Sequence, residues 1–317
     1  MTMPTRTIPV SHFQLDDIAN SGQVFRWRQL EPGGYLLLSG RRAAVARQPQ
    51  ENLLELTCPP QDTAFWTHYL ALDDDYDSIW QVLEHWADID GPNAYLTRAV
   101  RAGRGLRILH QEPFESTVSF IVSQNNNIPR IRKILELLCR RLGPVIVQPP
   151  LQPAPGGPLY GFPCAQRLRC AAQLQGLGLG YRDTYVACAA AAFSGALAPL
   201  RKLPRMSREQ ARSTLLSLHG VGPKVADCIL LFGLGHLDAF PKDVWIGRIL
   251  NREFPQGFPL PRYAGFAGLL QQMLFFYERQ QQGLVPPAGT SAQPAPPPRG
   301  PAHGHAAQTP RACSKSS

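Results

Sequence analysis

The spacing of apolar residues predicts strands in the first third of the chain and helices after it. Short apolar runs such as Tyr35-Leu-Leu-Leu and Leu53-Leu-Glu-Leu-Thr are separated by glycine-rich or polar turns, which predicts antiparallel strands. After Asp62 the apolar residues recur every three or four positions, as they do in an amphipathic helix pair. Residues 1–105 are therefore predicted to form an α+β domain with an antiparallel β-sheet.

From about residue 106 almost every periodic segment has helical spacing. The predicted helices are 114–123, 131–142, 165–174, 185–193, 208–218, 225–234, 244–250 and 266–279. The fold class is therefore predicted to be mainly α, with an all-helical domain over residues 106–283. Residues 144–163 are rich in proline and glycine and are predicted to form a long loop. Residues 284–317 are proline-rich with few apolar side chains, so we expect a disordered tail.

The composition excludes several classes of protein. No run of about 18 apolar residues is present, so we expect neither a membrane span nor a membrane partner. The seven cysteines form no CxxC pair, which indicates reduced intracellular thiols and argues against a zinc or iron–sulfur site. Arginine- and alanine-rich usage is typical of a GC-rich genome, so the expected location is the cytoplasm or nucleoid of a bacterium.

The formal charge of +9 is distributed unevenly along the chain. Residues 1–100 carry 7 basic and 13 acidic side chains, whereas residues 101–317 carry 25 basic and 10 acidic ones. A folded region with this excess of positive charge favours a polyanionic partner such as nucleic acid. A solvated basic surface without any ligand is the alternative interpretation.

The most specific motif is a predicted helix-hairpin-helix. A helical segment stops at Gly220-Val221-Gly222, and a second helix restarts at Pro223, a residue that suits the first turn of a helix. The glycines allow a tight turn, and the free amides at the start of the second helix can bind a phosphate oxygen. Such main-chain contacts read the backbone of DNA rather than its sequence. An ordinary tight connection between two helices is the alternative.

Lys224 and Asp243 are the candidate catalytic pair. Lys224 falls in the first turn of the second hairpin helix, and Asp243 begins the next predicted helix. An amine at the start of a helix inside a cleft can attack a sugar carbon, which the guanidinium of arginine cannot do. The carboxylate of Asp243 would stabilise positive charge on the ribose and assist deprotonation. A plain N-cap is the alternative role for Asp243.

The hairpin, Lys224 and the Pro-x-Asp243 element resemble the helix-hairpin-helix DNA glycosylase superfamily. Further segments are similar to its 8-oxoguanine DNA glycosylase branch, and the resemblance covers roughly residues 10–282. The segments that carry it, besides the hairpin, are Ser21-Gly-Gln-Val-Phe-Arg-Trp27, Phe120-Ile-Val-Ser-Gln-Asn-Asn-Asn-Ile-Pro-Arg130, Leu177-Gly-Leu-Gly-Tyr-Arg182 and Phe266-Ala-Gly-Leu-Leu-Gln-Gln-Met-Leu-Phe275.

The resemblance implies a group of residues for the base opposite the lesion. Asn125 would enter the space left by the flipped nucleotide, while Arg130 and Arg182 would reach the estranged cytosine and Tyr181 would wedge beside it. Flipping a base costs a few kcal/mol, so side chains must fill the gap. A helix-terminating loop for Asn125 and solvated surface positions for the two arginines are the alternatives.

The resemblance also implies a lesion pocket. The backbone carbonyl of Gly22 would accept the proton that 8-oxoguanine carries on N7, where guanine has a bare acceptor. Gln271 would hydrogen-bond the Watson–Crick edge, Phe275 would stack on the base, and Cys228 would pack on its other face. A buried core thiol is the alternative for Cys228. Trp245 departs from the family pattern, because relatives often carry there a histidine that helps to hold a phosphate.

Together these residues predict a bifunctional base-excision repair enzyme. It would remove 8-oxoguanine from damaged double-stranded DNA and cleave the strand by β-elimination through a Schiff base on Lys224. We expect a monomer that needs no cofactor and no iron–sulfur cluster, with room for a structural cation at the hairpin. The alternatives are a glycosylase for alkylated purines or mismatched adenine, a non-catalytic DNA-binding module, and a protein-interaction role suggested by the tail.

Overall fold

A computed structural model describes residues 3–91, 94–146, 157–195 and 199–285, so the predicted tail beyond residue 285 and the centre of the predicted 144–163 loop lie outside the described residues. The N-terminal part is a five-stranded antiparallel sheet with the strand order β1-β5-β4-β3-β2. Its strands are β1 Thr5–Pro9, β2 Arg28–Gln29, β3 Tyr35–Ser39, β4 Arg42–Gln50 and β5 Leu53–Thr57. The predicted antiparallel sheet is therefore confirmed.

At β3, other residues of the protein cover both faces of the sheet. The side chains of Tyr35 and Leu37 join the main core, whereas Leu36 and Leu38 pack in a second cluster with Leu159. This explains why the strand is apolar at consecutive positions instead of alternating. The edge strand β1 was missed by the apolar pattern because its residues are mostly exposed.

The rest of the described chain is helical, as the apolar periodicity predicts. The helices are α1 Leu15–Asn20, α2 Thr63–Tyr69, α3 Tyr76–Asp90, α4 Tyr95–Ala102, α5 Pro113–Ser123, α6 Ile128–Leu142, α7 Ala165–Leu168, α8 Ala171–Leu174, α9 Arg182–Phe193, α10 Arg208–Leu216, α11 Pro223–Leu234, α12 Val244–Glu253 and α13 Ala267–Gln281. Among the described helices, none combines the length and the apolar character that a membrane span requires.

The single helix predicted over 165–174 is wrong. The chain forms two short helices, α7 and α8, because Cys170 adopts an extended conformation between them. Each short helix buries one leucine, Leu168 in α7 and Leu174 in α8. The helix α4 was not predicted, and it packs against α13.

The two helices that frame the site are α5 and α11, which pack against each other in opposite directions. Ser116 near the start of α5 contacts Gly233 near the end of α11, where an added Cβ would come within 2.9 Å of the serine Oγ. Ser123 at the end of α5 accepts a hydrogen bond from Lys224 at the start of α11, with 3.4 Å between Nζ and Oγ. The close packing thus sets the ends of the two helices side by side.

A buried ion pair fastens α5 to the sheet. Glu115 accepts a hydrogen bond from Arg26 Nη1 at 2.9 Å and another from the backbone N–H of Gly40 at 2.7 Å. Both charged side chains are almost entirely removed from solvent. A buried guanidinium that loses its carboxylate partner strongly destabilises the folded protein. The ion pair therefore keeps α5 in place against the sheet.

We expect Glu115→Ala to lower the free energy of unfolding by roughly 3 to 5 kcal/mol, because it leaves Arg26 charged and buried. The matched control is Glu136→Ala, which removes a more exposed pair with Arg28 and should cost about 1 kcal/mol or less. Urea denaturation of both variants tests this, and equal losses would show that burial does not separate the two pairs.

Candidate active site

The hairpin has the geometry expected of a backbone-phosphate grip. Gly220 has a φ of 84°, in the left-handed region, and an added Cβ would overlap the ring of Tyr185. Gly222 is the N-cap of α11 with an extended backbone, and no side chain caps the first amides of the helix. Those amides remain available to an anion. The tight turn therefore requires glycine at position 220. At Gly222, by contrast, an added Cβ would meet no atom within 4 Å.

A glutamine that the sequence motifs did not single out connects the hairpin to the end of α5. Gln124 directly follows α5, and its Nε2 donates to the backbone oxygen of Gly220 at 3.0 Å. The next residue, Asn125, is the candidate for filling the space of the flipped nucleotide. The hairpin and the Asn125 loop are therefore held together by one side-chain hydrogen bond.

Lys224 lies where α5 and α11 meet. Its ammonium group lies 5.6 Å from the centre of the Phe120 ring, and it donates to Ser123 Oγ at 3.4 Å. The side chain is partly buried, and the thiol of Cys228 lies beside it, one turn further along the same helix. The amine is thus positioned by weak contacts, which leave it free to turn toward a substrate.

Cys228 is a buried thiol beside the candidate nucleophile. Burial raises the pKa of Cys228 to about 11, although the neighbouring Lys224 ammonium acts in the opposite direction. The thiol is therefore protonated at neutral pH and is a poor nucleophile itself. The core position weighed for Cys228 is confirmed, and a role in packing against a bound base stays a prediction.

Asp243 caps the next helix along the chain. Its Oδ1 accepts from the backbone N–H of Ile246 at 2.8 Å, so the N-cap role is present. The charge of Asp243 also acts on the Cys228 thiol, where it favours the protonated form. Its side chain is partly exposed, so capping does not exclude a catalytic role. Trp245, in the first turn of α12, is partly buried, and Val244 beside it is exposed.

The structure brings together three of the residues assigned to the lesion pocket or its walls. Gly22 has a φ of 88°, and an added Cβ there would lie 3.2 Å from Cε1 of Phe275. Gln271, one turn earlier on α13, is buried, and its Oε1 has no hydrogen-bond partner among the described residues. A buried amide oxygen without a partner is suited to accept from a ligand.

The residues assigned to the estranged base form a second group. Asn125, with a φ of 49°, donates from Nδ2 to the hydroxyl of Tyr181 at 3.0 Å. Tyr181 is half exposed, and the guanidinium of Arg182 lies 4.4 Å from the centre of its ring. Arg130 is exposed in the first turn of α6. Asn125, Tyr181 and Arg182 are therefore in contact, with Asn125 and Tyr181 exposed and Arg182 buried beneath them.

Arg182 has a structural role that the sequence did not indicate. It is only 5% exposed, and its guanidinium donates to the backbone oxygens of Gln124 and Leu179 at 2.8 and 3.0 Å. A further donor faces the oxygen of Asn125 at 3.4 Å. Contact with a cytosine would require part of this network to be exchanged, and that assignment stays a prediction.

Two other polar features of the described chain lie outside this site. His68, Asp73 and His110 place ligand atoms within 4.8 Å of one another. The imidazoles are stacked, with an interplanar angle of 4°, so their lone pairs lie in separate planes and each ring pairs with its own aspartate, Asp73 or Asp74. A cavity of about 260 Å³ between α6 and β2 is lined by several arginines but by none of the predicted site residues.

The sequence is similar to DNA glycosylases, both by a family model and by comparison with single proteins. Residues 7–116 match the family model described as the N-terminal domain of 8-oxoguanine DNA glycosylase. The chain is 32% identical over 277 residues to the N-glycosylase/DNA lyase of Saccharomyces cerevisiae, covering 77% of this chain and 69% of that protein.

Two solved structures of similar proteins superimpose on most of this chain. MBOgg1 in complex with a low-affinity DNA ligand superimposes with a TM-score of 0.77 at 32% identity, covering 89% of this chain and all of that one. The Clostridium acetobutylicum 8-oxoguanine glycosylase/lyase, in complex with duplex DNA that holds cytosine opposite 8-oxoG, gives a TM-score of 0.76 at 25% identity, with 89% of this chain and 100% of that chain covered.

We expect Gly220→Ala to destabilise the protein by roughly 1 to 3 kcal/mol, because alanine is strained at this φ and would displace Tyr185. Gly222→Ala, which meets no atom within 4 Å, is the control and should cost about 1 kcal/mol or less, the penalty of alanine at an N-cap. Thermal denaturation and DNA-binding titrations compare the two. Equal stability of both variants would contradict the required left-handed turn.

We expect iodoacetamide at pH 8 to modify the exposed Cys164, Cys170 and Cys188 while Cys228 stays unmodified. The reason is that alkylation requires an accessible thiolate, whereas burial keeps the pKa of Cys228 near 11. Peptide mass spectrometry over a time course measures each site. Labelling of Cys228 as rapid as that of Cys188 would show that the thiol is neither shielded nor protonated.

Proposed function

Because the chain belongs to the 8-oxoguanine DNA glycosylase family of the helix-hairpin-helix superfamily, whose members are DNA glycosylases and AP lyases, we propose that it excises 8-oxoguanine from duplex DNA and cleaves the strand through a Schiff base on Lys224. The observation that carries the proposal is the position of Lys224. Its amine stands at the N-terminus of the hairpin's second helix, next to the protonated thiol of Cys228, and Asp243 begins the following helix.

The proposed reaction begins at the sugar of the damaged nucleotide. The unprotonated amine of Lys224 attacks C1′, the bond from C1′ to the base nitrogen breaks, and the base leaves with the bonding pair and takes up a proton. The carboxylate of Asp243 stabilises the positive charge that develops on the sugar. Loss of a proton from the attached nitrogen and opening of the sugar ring give the Schiff base.

The lyase step follows from the same intermediate. Removal of a proton from C2′ sends its electron pair toward the iminium carbon, and the bond between C3′ and its oxygen breaks, so the 3′ phosphate leaves. Water then hydrolyses the imine and returns the amine of Lys224. The proton transfers fall to groups near the sugar, and the carboxylate of Asp243 is the candidate we assign to them.

The two recognition groups support a flipped-base substrate. Gly22, Phe275 and Gln271 form one wall, and the carbonyl of Gly22 would distinguish 8-oxoguanine by its proton on N7. Asn125 and Tyr181 lie at a separate surface, suited to the gap that flipping leaves in the duplex. The relative in Clostridium acetobutylicum is an 8-oxoguanine glycosylase/lyase in complex with duplex DNA that holds cytosine opposite 8-oxoG, which supports the same class of substrate.

The proposal is tested by trapping with borohydride, which reduces a Schiff base to a stable protein–DNA adduct. The wild-type protein should form the adduct with a duplex that contains 8-oxoguanine, and Lys224→Gln should lose it because the amide cannot form an imine. The control is Lys202→Gln, an exposed lysine outside the site, which should trap as the wild type does. Duplexes with each of the four bases opposite the lesion define the preferred pairing.

Two results would reject the proposal in different ways. Undiminished adduct in Lys224→Gln would assign the nucleophile to another residue. Release of an alkylated purine, with none from 8-oxoguanine opposite any base, would retain a glycosylase but change its substrate.

A further inference from the structure

The helix α13 holds the segment before Gly22 at two consecutive backbone carbonyls. Gln272 donates from Nε2 to the backbone oxygen of Ser21 at 2.6 Å, and Arg279 donates from Nη1 to that of Asn20 at 2.7 Å. The two side chains are seven residues apart, so they project from the same side of the helix two turns apart. They act together as a clamp on the chain that leads into the lesion pocket.

The clamp leaves the next carbonyl free. Gly22 follows Ser21 directly, and within the described part of the chain its backbone oxygen accepts no hydrogen bond. Its φ of 88° turns the chain so that an added Cβ would lie 3.2 Å from the Phe275 ring and 3.6 Å from Arg279 Nη1. Because the two preceding carbonyls are held, the direction of the third depends only on the φ and ψ of Gly22 itself.

Both members of the clamp are held at an energetic cost. Gln272 is 3% exposed, so its amide is removed from water. Burial lowers the pKa of Arg279 to about 10, and the nearby Arg132 acts in the same direction. The guanidinium of Arg279 also stacks 5.5 Å from the centre of the Phe275 ring. One side chain therefore touches both the carbonyl segment and the aromatic wall of the pocket.

We propose that Gln272 and Arg279 are positioning residues for damaged-base recognition, which hold the Gly22 carbonyl and the Phe275 ring in the arrangement that accepts 8-oxoguanine. The inference rests on the proposed function. Neither side chain needs to touch the base. Each acts through a residue that does, and a hydrogen bond to N7–H weakens steeply when its acceptor shifts or tilts.

The test separates base recognition from the chemistry of the sugar. Gln272→Glu has the same shape but sets an acceptor against the Ser21 carbonyl, so the segment must move. We expect single-turnover excision of 8-oxoguanine to fall by roughly 10- to 100-fold, the effect of one lost buried hydrogen bond. Borohydride trapping on a duplex with an abasic site should stay within about 2-fold of the wild type, because that substrate has no base to recognise.

A matched control and a rescue variant complete the design. Gln281→Glu makes the same chemical change at an exposed position of the same helix, and it should excise as the wild type does. Arg279→Met should lose excision in the same manner as Gln272→Glu. Arg279→Lys, which keeps a donor for Asn20 but not the planar stack on Phe275, should recover part of the loss. Arg279 is only partly buried, so its variants also serve if Gln272→Glu fails to fold.

Three outcomes overturn the inference. Unchanged excision in Gln272→Glu and Arg279→Met would show that the clamp does not set the pocket. Parallel loss of excision and of abasic-site trapping would show that the two residues only support the fold. Trapping by the wild type on the abasic duplex without excision of 8-oxoguanine opposite any base would reject the proposed function itself, and the inference would fall with it.

Discussion

The antiparallel packing of α5 on α11 is the constraint on which the rest of the site depends. The helices approach closely because Gly233 presents no side chain to Ser116. That contact lies at one end of the pair, and the hydrogen bond between Lys224 and Ser123 lies at the other. Any bulk inserted at the glycine would separate the helices along their length. The position of the candidate nucleophile is therefore set by a small residue two and a half turns away.

Three consecutive residues at the end of α5 make three different contacts. Ser123 contacts Lys224, Gln124 contacts the hairpin at Gly220, and Asn125 contacts Tyr181. Arg182 adds rigidity by donating to the carbonyls of this segment. The hairpin, the candidate nucleophile and the residues proposed to face the opposite strand thus share one local framework. The lesion wall is built differently, because it needs α13 and the N-terminal segment at Gly22, which are far apart in the chain.

Burial has different consequences at Cys228 and at the Arg26–Glu115 pair. It keeps Cys228 protonated beside Lys224, so the thiol fills space without competing as a nucleophile. The Arg26–Glu115 pair is also buried, but each charged side chain has its partner, and the pair joins the sheet to α5. Arg26 lies just before β2 and Glu115 lies in α5, so the ion pair links the N-terminal part to the helical part.

The sequence by itself determined the elements whose cause is local. Apolar spacing defined most helices, and the hairpin residues with Pro223 defined where α11 starts, because caps and turns depend on a few adjacent residues. It also indicated the Lys224 and Asp243 pair and the lesion residues through motif resemblance. Only the tertiary structure decided that Cys170 breaks a helix, that Gln124 ties the hairpin to Asn125, that Arg182 is largely buried, and that Gln272 and Arg279 hold the chain before Gly22. The physical reason is that these contacts join residues distant in the chain, and a hydrogen bond to a backbone carbonyl leaves no periodic or compositional signature.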